Sequence, residues 1–216
     1  MSMNPNPLPV SPVLVLASAS PRRSELLRQI GVPHRVAVAG IAEERRDGEA
    51  VVDCVRRLAL QKARHVWDLE QAIAPADRQI AAMAQLPVLG ADTEVVLEGE
   101  LLGKPADRAA ALAMLARLAG RTHRVLSAVA LVTRAGADVR LCVSEVEFRG
   151  IDVAEASAYW NSGEPRDKAG GYAIQGHGAV FVSALRGSYS GVMGLPLFET
   201  AALLDAARVP RWQGAL

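Results

Sequence analysis

Short apolar runs alternate with amphipathic stretches along most of this chain. The run at 13–17 predicts a buried strand, and the stretch after it predicts a helix that is capped by Ser20 and ends at Gly31. A second predicted strand at 34–38 precedes a long helical pattern over about 49–67, whose apolar residues share one face. Strands that alternate with helices in this way are typical of an α/β domain.

The second half of the chain is richer in strands. The run at 87–91 predicts a strand that ends at Asp92-Thr93, and the next apolar positions predict a strand pair that turns at Glu98-Gly-Glu100. This order of helices and strands predicts an α/β fold with a mixed sheet and flanking helices, arranged as two lobes on one sheet. The remaining predicted elements are a helix around 111–118, a hairpin of 125–132 and 139–148, a helix from Asp152 to Trp160, strands at 179–183 and 189–193, and a helix after Pro196.

Two segments fall outside this pattern. Residues 1–12 contain four prolines and predict a disordered leader, while the Ala- and Gln-rich stretch at 69–86 predicts an exposed, partly helical insert. We expect residues 13–216 to form a single domain. No basic residue precedes Arg22, and no apolar run reaches the roughly 18 residues of a membrane span, so we expect a soluble, cytoplasmic protein with no membrane partner.

The charge balance limits the function classes that fit this chain. The 24 lysines and arginines nearly cancel the 23 acidic residues, and a protein that coats nucleic acid or an anionic membrane needs a basic excess. Only 4% of the residues are aromatic, which leaves few platforms for stacking bases. We therefore expect no nucleic-acid partner. Cys54 and Cys142 lack metal-ligand spacing and predict reduced thiols, although a single disulfide between them stays open.

Two arginines occupy the first turn of the first predicted helix, in the segment Ser18-Ala-Ser-Pro-Arg-Arg23. That turn already carries the positive end of the helix dipole and unpaired backbone N–H groups. Hydroxyls, N–H groups and two guanidiniums at one helix start form an arrangement that holds phosphate or another polyanion. The alternative is a capped helix with two solvated surface arginines.

Three carboxylates are candidates for acid–base or metal chemistry. Asp92 follows a predicted buried strand, where α/β folds place ligands, and an aspartate there can bind Mg²⁺ or take a proton from water. Its alternative is a turn aspartate that caps backbone N–H groups. Glu43 and Glu44 also fit a solvated charge run.

Two lysines and one glycine-rich segment complete the candidate residues. Lys104 lies between glycine and proline, either directed into a cleft or in a surface turn, and Lys62 is either a phosphate ligand or a lysine whose stem covers apolar surface. The segment 167–176 allows close backbone approach, and the amide of Gln175 can read a base edge. A plain glycine-rich turn is the alternative there.

Taken together, these segments resemble the Maf family of nucleoside triphosphate pyrophosphatases, from Val13 to about Ala206. The resemblance implies an elongated mixed α/β fold, related to inosine triphosphate pyrophosphatases, with a cleft between two lobes. The matching segments are LASASPRRSELL, the two glutamates at 43–44, LALQKA, LGADTEVVLEGELLGKP, LAGRTHRVLSAVAL, EPRDKAGGYAIQG and GSYSGVMGLPLFET.

The resemblance also implies an activity, which is hydrolysis of a nucleoside triphosphate to the monophosphate and pyrophosphate. Asp92 matches the family's general base, and Mg²⁺ or Mn²⁺ would be held by Asp92 and Glu43. A homodimer is compatible with this picture. The residues expected to bind the phosphates are Ser18, Arg23, Lys62 and Lys104.

Three positions separate the substrate branches of the family. Arg22, Thr93 and Gln175 match the branch that acts on dTTP and UTP, whereas the 7-methyl-GTP branch carries tryptophan, glutamine and glutamate there. We therefore expect a dTTP/UTP pyrophosphatase. The alternatives are a 7-methyl-GTP or broader modified-nucleotide pyrophosphatase and a nucleotide-binding regulator of septum formation.

Overall fold

The computed structural model describes residues 11–73 and 85–213. The strands in those ranges are β1 (Leu14–Leu16), β2 (His34–Val36), β3 (Val88–Leu97), β4 (Glu100–Leu102), β5 (Thr122–Thr133), β6 (Gly136–Phe148) and β7 (Val182–Arg186). The α-helices there are α1 (Pro21–Gln29), α2 (Val51–Ile73), α3 (Arg108–Leu118), α4 (Val153–Asn161), α5 (Tyr189–Met193) and α6 (Leu197–Ala206). Three short 3-10 turns connect α4 to β7.

The strands form one mixed sheet in the order β2-β1-β3-β5-β6-β7, with β4 paired to β3. Strand β1 runs parallel to β2 and β3, and the other pairs are antiparallel. The predicted mixed sheet with flanking helices and the predicted hairpin (now β5 and β6) are confirmed.

Strand β3 is longer than the sequence pattern predicts. It pairs with β5 without interruption from Val88 to Val96, so the expected strand end at Asp92 was wrong. On its other edge, β1 pairs only with Val88 and Leu89, and β4 pairs only from Val95 onward. Within the described ranges, positions 90–94 therefore have a strand on one side only. What ends beside Asp92 is the neighbour β1.

The two faces of β3 pack against different helices because successive side chains alternate. Val88 and Val96 join the apolar cluster under α2. On the other face, Leu89 packs with α1 and α6, and Val95 packs with α3 and α4. Gly90 faces α2, and a Cβ there would lie 2.3 Å from the Ala59 carbonyl oxygen. The helix thus rests directly on the strand backbone, close to Asp92.

In the first half of the chain, the other predicted boundaries differ from the observed ones by a few residues, apart from the end of the long helix. The second strand ends at Val36, because only His34 to Val36 pair with β1. Helix α2 extends to Ile73, beyond the predicted end at 67. The leader at 1–10 and residues 74–84 of the insert lie outside the described residues.

Near the C-terminus, two strand predictions were wrong. Residues 177–181 form a 3-10 turn, and the strand comes after it as β7. The segment at 189–193 is the short helix α5, because the Ser188 side chain accepts a hydrogen bond from Gly191 N and Gly194 ends the helix at φ 118°. β-Branched and aromatic residues predicted a strand there, but local capping decides the conformation. The predicted helix after Pro196 is confirmed as α6.

Three smaller expectations have clear outcomes. The predicted cap of α4 is present, since the Asp152 side chain accepts a hydrogen bond from Glu155 N at 2.7 Å. Cys54 and Cys142 are buried and free, as predicted. No helix in the described part of the chain is long and apolar enough to cross a membrane.

Candidate active site

A cleft of about 560 Å³ opens beside the unpaired edge of β3. Its walls come from the β1–α1 turn, from α2, from the turn after β4 and from the 3-10 turns before β7. The structure brings every site residue predicted from the sequence to this cleft. They are Ser18, Arg22, Arg23, Glu43, Lys62, Asp92, Thr93, Lys104 and Gln175.

The β1–α1 turn is folded around Arg23. Ser20 occupies the N-cap position, but its side chain makes no capping hydrogen bond; its backbone N–H donates to Ser18 Oγ instead, at 3.2 Å. Arg23 donates from Nη1 to Ser18 Oγ at 3.1 Å and from Nε to the Gly194 carbonyl at 2.8 Å. Burial lowers the pKa of Arg23, while the negative charges of Asp92 and Glu43 oppose that shift.

Arg22 differs from its neighbour. Its Nη1 lies 3.9 Å from an oxygen of Asp167, a residue that is mostly solvent-exposed. This ion pair joins α1 to the 3-10 turns, and both elements line the cleft. Of the two arginines in the first turn of α1, Arg23 is held by hydrogen bonds to Ser18 and Gly194, whereas Arg22 has one weak contact among the described residues.

Lys62 connects two carboxylates on the α2 face of β3. Its Nζ lies 2.7 Å from Asp92 Oδ1 and 2.9 Å from Glu43 Oε1. The side chains of Lys62 and Asp92 are only 7% and 5% exposed, whereas that of Glu43 is 50% exposed. Asp92 Oδ2 is buried without a hydrogen-bond partner in the described residues. Lys62 is therefore not a surface-covering lysine, and one oxygen of Asp92 is left unpaired.

The cleft also contains Glu94, which the sequence analysis missed. It projects from β3 on the same face as Asp92, and burial together with the charge of Asp92 raises its pKa to about 7. The period of two along a strand would have found it, had the strand been predicted to continue past Asp92. Glu43 behaves oppositely: burial opposes its ionisation, but Lys62 outweighs that effect and lowers its pKa.

Thr93 projects to the opposite face of β3. Its hydroxyl lies 3.0 Å from Ser127 Oγ, which itself donates to the Gly191 carbonyl at 2.6 Å. Arg23 Nη2 approaches Thr93 Oγ1 at 3.5 Å. The Thr93 hydroxyl has one proton, and two acceptors lie within its reach: Ser127 Oγ and the Gly194 carbonyl oxygen at 3.4 Å. The sequence around Ser127 does not indicate this role, because its partners Thr93 and Gly191 are distant from it in the sequence.

Lys104 and Gln175 line the cleft with exposed side chains. Neither their ammonium nor their amide group has a hydrogen-bond partner in the part of the chain that the structure describes. Lys104 follows β4, and Gln175 lies between two of the 3-10 turns. Both groups are therefore available to a ligand without first breaking an internal contact.

These groups define the class of ligand. Arg23, Lys62 and Lys104 supply positive charge along one cleft, and the unpaired oxygen of Asp92 can accept a proton in the same space. An α/β protein with this cleft is suited to bind and attack a phosphorylated small molecule. The model of the Maf family, described as Maf-like protein, matches residues 13–207, and the chain belongs to that family.

Several named proteins are similar to this chain over almost its whole length. One from Saccharophagus degradans, named dTTP/UTP pyrophosphatase, is 52% identical over 200 residues, covering 93% of this chain and 91% of the relative. A protein of the same name from Alkalilimnicola ehrlichii is 54% identical over 194 residues, covering 90% and 92%. Another from Bordetella pertussis is 48% identical over 204 residues, covering 92% and 94%.

Proposed function

We propose that this protein hydrolyses dTTP and UTP to the nucleoside monophosphate and pyrophosphate. The observation that carries the proposal is the convergence of nine predicted residues on one cleft, with the Lys62–Asp92 pair at its centre. The family membership and the names of the relatives support the same activity.

Positive groups in the cleft bind the triphosphate. Lys104 has no hydrogen-bond partner in the described structure, so its ammonium is free to bind phosphate oxygens, although its charge also acts on Glu43 and Glu94. Arg23 is already oriented by Gly194 and Ser18, so little rotamer entropy is lost when it binds phosphate oxygens. Lys62 lies deeper, between Glu43 and Asp92, and places one further cation beside the reacting phosphate.

Asp92 acts as the general base. Lys62 holds Oδ1, which leaves the buried and unpaired Oδ2 to take a proton from water. The oxygen of that water forms a bond to the α-phosphorus, and the bond from the α-phosphorus to the bridging oxygen breaks. Pyrophosphate leaves with that electron pair.

Two carboxylates in the cleft are suited to a divalent cation that is also held by substrate phosphates. In the described residues, no group of three or more His, Cys, Asp or Glu side chains is placed to hold a metal ion. Mg²⁺ is commonly held by one or two carboxylates together with substrate phosphates, and the carboxylates of Asp92 and of the half-exposed Glu43 both line the cleft. When bound, Mg²⁺ or Mn²⁺ would neutralise charge on the phosphates.

Base choice rests on Gln175, Arg22 and Thr93. Uracil and thymine present two carbonyls on either side of an N–H, and the Gln175 amide can both donate and accept along that edge. A glutamate there would only accept, which suits the N–H-rich edge of guanine. Arg22 faces the same cleft, and Thr93 acts through its contact with Arg23.

A substrate panel with pyrophosphate detection tests the proposal. We expect kcat/KM for dTTP and UTP to exceed that for CTP and 7-methyl-GTP by roughly tenfold or more, because a mismatched base leaves buried polar groups unpaired. Gln175→Glu should reduce this preference, most clearly together with Arg22→Trp and Thr93→Gln. Gln29→Glu, at the exposed end of α1, is the matched control.

The possible outcomes separate the two parts of the proposal. Hydrolysis of 7-methyl-GTP as fast as UTP would contradict the base choice and leave the pyrophosphatase activity standing. Stoichiometric nucleotide binding without pyrophosphate release from any triphosphate would contradict the activity itself.

A further inference from the structure

The turn that carries Gln175 belongs to no β-strand, so it is not held by sheet hydrogen bonds. This segment, residues 173–178 and here called the Gln175 turn, closes through a backbone bond from Gly176 N to the Ala173 carbonyl at 3.2 Å. The Gln175 amide projects into the cleft and has no partner in the described structure. The orientation of that amide is therefore set by whatever fixes the backbone on either side of it.

The carboxylate of Glu164 fixes the C-terminal side of the turn. Glu164 Oε2 accepts a hydrogen bond from His177 N at 2.9 Å, and Oε1 accepts one from Gly178 N at 3.0 Å. The carboxylate lies so close to the turn that a Cβ on Gly176 would be 2.1 Å from Oε2. Glu164 thus occupies the space that a side chain on the residue after Gln175 would need.

The hydroxyl of Tyr159 fixes the N-terminal side. It accepts a hydrogen bond from Ala173 N at 3.1 Å and donates to Glu164 Oε1 at 2.7 Å. The Tyr159 ring is buried and packs edge-on against Phe181 with centroids 5.0 Å apart. One connected pair of side chains therefore holds both ends of the Gln175 turn.

The charge state of Glu164 suits this role. Burial opposes its ionisation, but the hydrogen bonds from Tyr159 and from two backbone N–H groups outweigh that effect and lower its pKa. An ionised carboxylate accepts all three hydrogen bonds, and such charge-assisted bonds are stronger than neutral ones.

We infer that Glu164 and Tyr159 are positioning residues that set the discrimination between bases by orienting the Gln175 amide. The inference rests on the proposed function. An amide that must donate and accept along one base edge loses part of its hydrogen bonding when its backbone shifts, because hydrogen bonds weaken steeply with misalignment. The groups that bind the phosphates belong to other elements, α2 and the turns after β1 and β4, so they should not move with the turn.

The test uses Tyr159→Phe and Glu164→Gln, with Glu155→Gln as the matched control. Glu155 lies on α4 like Tyr159, but it forms an exposed ion pair with Arg149. The measurements are kcat and KM for UTP and CTP, and the inhibition constant of inorganic tripolyphosphate, which has no base. We expect the UTP preference over CTP to fall roughly fivefold or more in both variants. The tripolyphosphate constant and kcat at saturating UTP should stay within about threefold, as they should in the control.

A double-mutant cycle asks whether the pair acts through Gln175. In a Gln175→Ala background, Glu164→Gln should cause no further loss of base preference, because the group that it positions is already gone. An equal loss with and without Gln175 would overturn the inference, since a general structural effect would not depend on that side chain.

A second variant covers the case in which Glu164→Gln does not fold. Gly176→Ala places a methyl group against the carboxylate without removing it, and it should lower the base preference in the same way. Folded Tyr159→Phe and Gly176→Ala proteins with the wild-type preference would overturn the inference alone. A wild-type protein that releases no pyrophosphate would overturn the proposed function and this inference together.

Discussion

The two ends of the cleft are built in different ways. At the charged end, Lys62 and Asp92 project from α2 and β3, two long regular elements in close contact at Gly90. At the other end, Gln175 lies in an irregular turn that depends on hydrogen bonds from Glu164 and Tyr159. The charged end is thus positioned by the backbone of the sheet, and the Gln175 turn by side chains.

This difference separates two properties of the site. Residues on packed regular elements keep their positions when one contact is lost, because many other contacts hold the same backbone. A turn held by a few hydrogen bonds responds to the loss of any one of them. We therefore expect turnover to depend on groups at the charged end and base preference to depend on the anchors of the turn.

Asp92→Asn should have the largest effect on turnover. An amide does not accept the water proton, and loss of a general base typically lowers kcat by roughly 10²–10⁴-fold. Lys62 keeps Glu43 as a partner, so we expect the fold and nucleotide binding to persist. Steady-state pyrophosphate release and nucleotide titration measure the two effects. Asp138→Asn, in an exposed pair with Arg140, is the control, and near-wild-type hydrolysis by folded Asp92→Asn would contradict the assigned role.

Acid should lower the free energy of unfolding through His123, which contacts the residue just before the Gln175 turn. His123 Nε2 lies 2.8 Å from the hydroxyl of Tyr172, which directly precedes the Gln175 turn, and both side chains are buried. Burial lowers the pKa of His123 from 6.5 to about 4. As the pH falls through this window, the unfolded chain takes up the proton first, so the free energy of unfolding decreases, by roughly 3 kcal/mol at most.

The measurement is the free energy of unfolding between pH 7 and pH 4 for wild type and His123→Gln. The slope with pH should be shallower in the variant, whereas His65→Gln, on the exposed side of α2, should keep the wild-type slope. Equal slopes for all three proteins would show that folding does not lower the pKa of His123.

The smallest effects should distinguish Lys104 from Arg23, which the sequence assigns to the same role of binding phosphate. Lys104→Ala should raise KM on the order of tenfold and leave Tm unchanged, because its ammonium has no partner in the described structure. Arg23→Ala also removes hydrogen bonds to Gly194 and Ser18, so it should lower Tm by roughly 4–8 °C as well. Thermal unfolding and KM for UTP measure both; an equal Tm for the two variants would contradict the structural role of Arg23.

The sequence predicted elements well where one periodicity dominates. The helix after Ser20, the β5–β6 hairpin and the helix after Pro196 follow from repeating apolar positions and clear end signals. The prediction failed where local and tertiary effects compete. Residues 189–193 have strand-like side chains but form α5, because Ser188 caps them, and β3 continues past Asp92 because β5 pairs with it there.

Residue types and their spacing, together with the family resemblance, were enough to predict nine of the residues that reach the cleft. Hydroxyls and arginines at a helix start, a carboxylate after an apolar run and an amide in a glycine-rich segment are local features, since each depends on neighbours a few positions away. Only the tertiary structure decided how these groups are held. Ser127, Glu94 and the Glu164–Tyr159 pair act through contacts that chain folding creates, and a linear pattern does not specify which distant donor meets which acceptor.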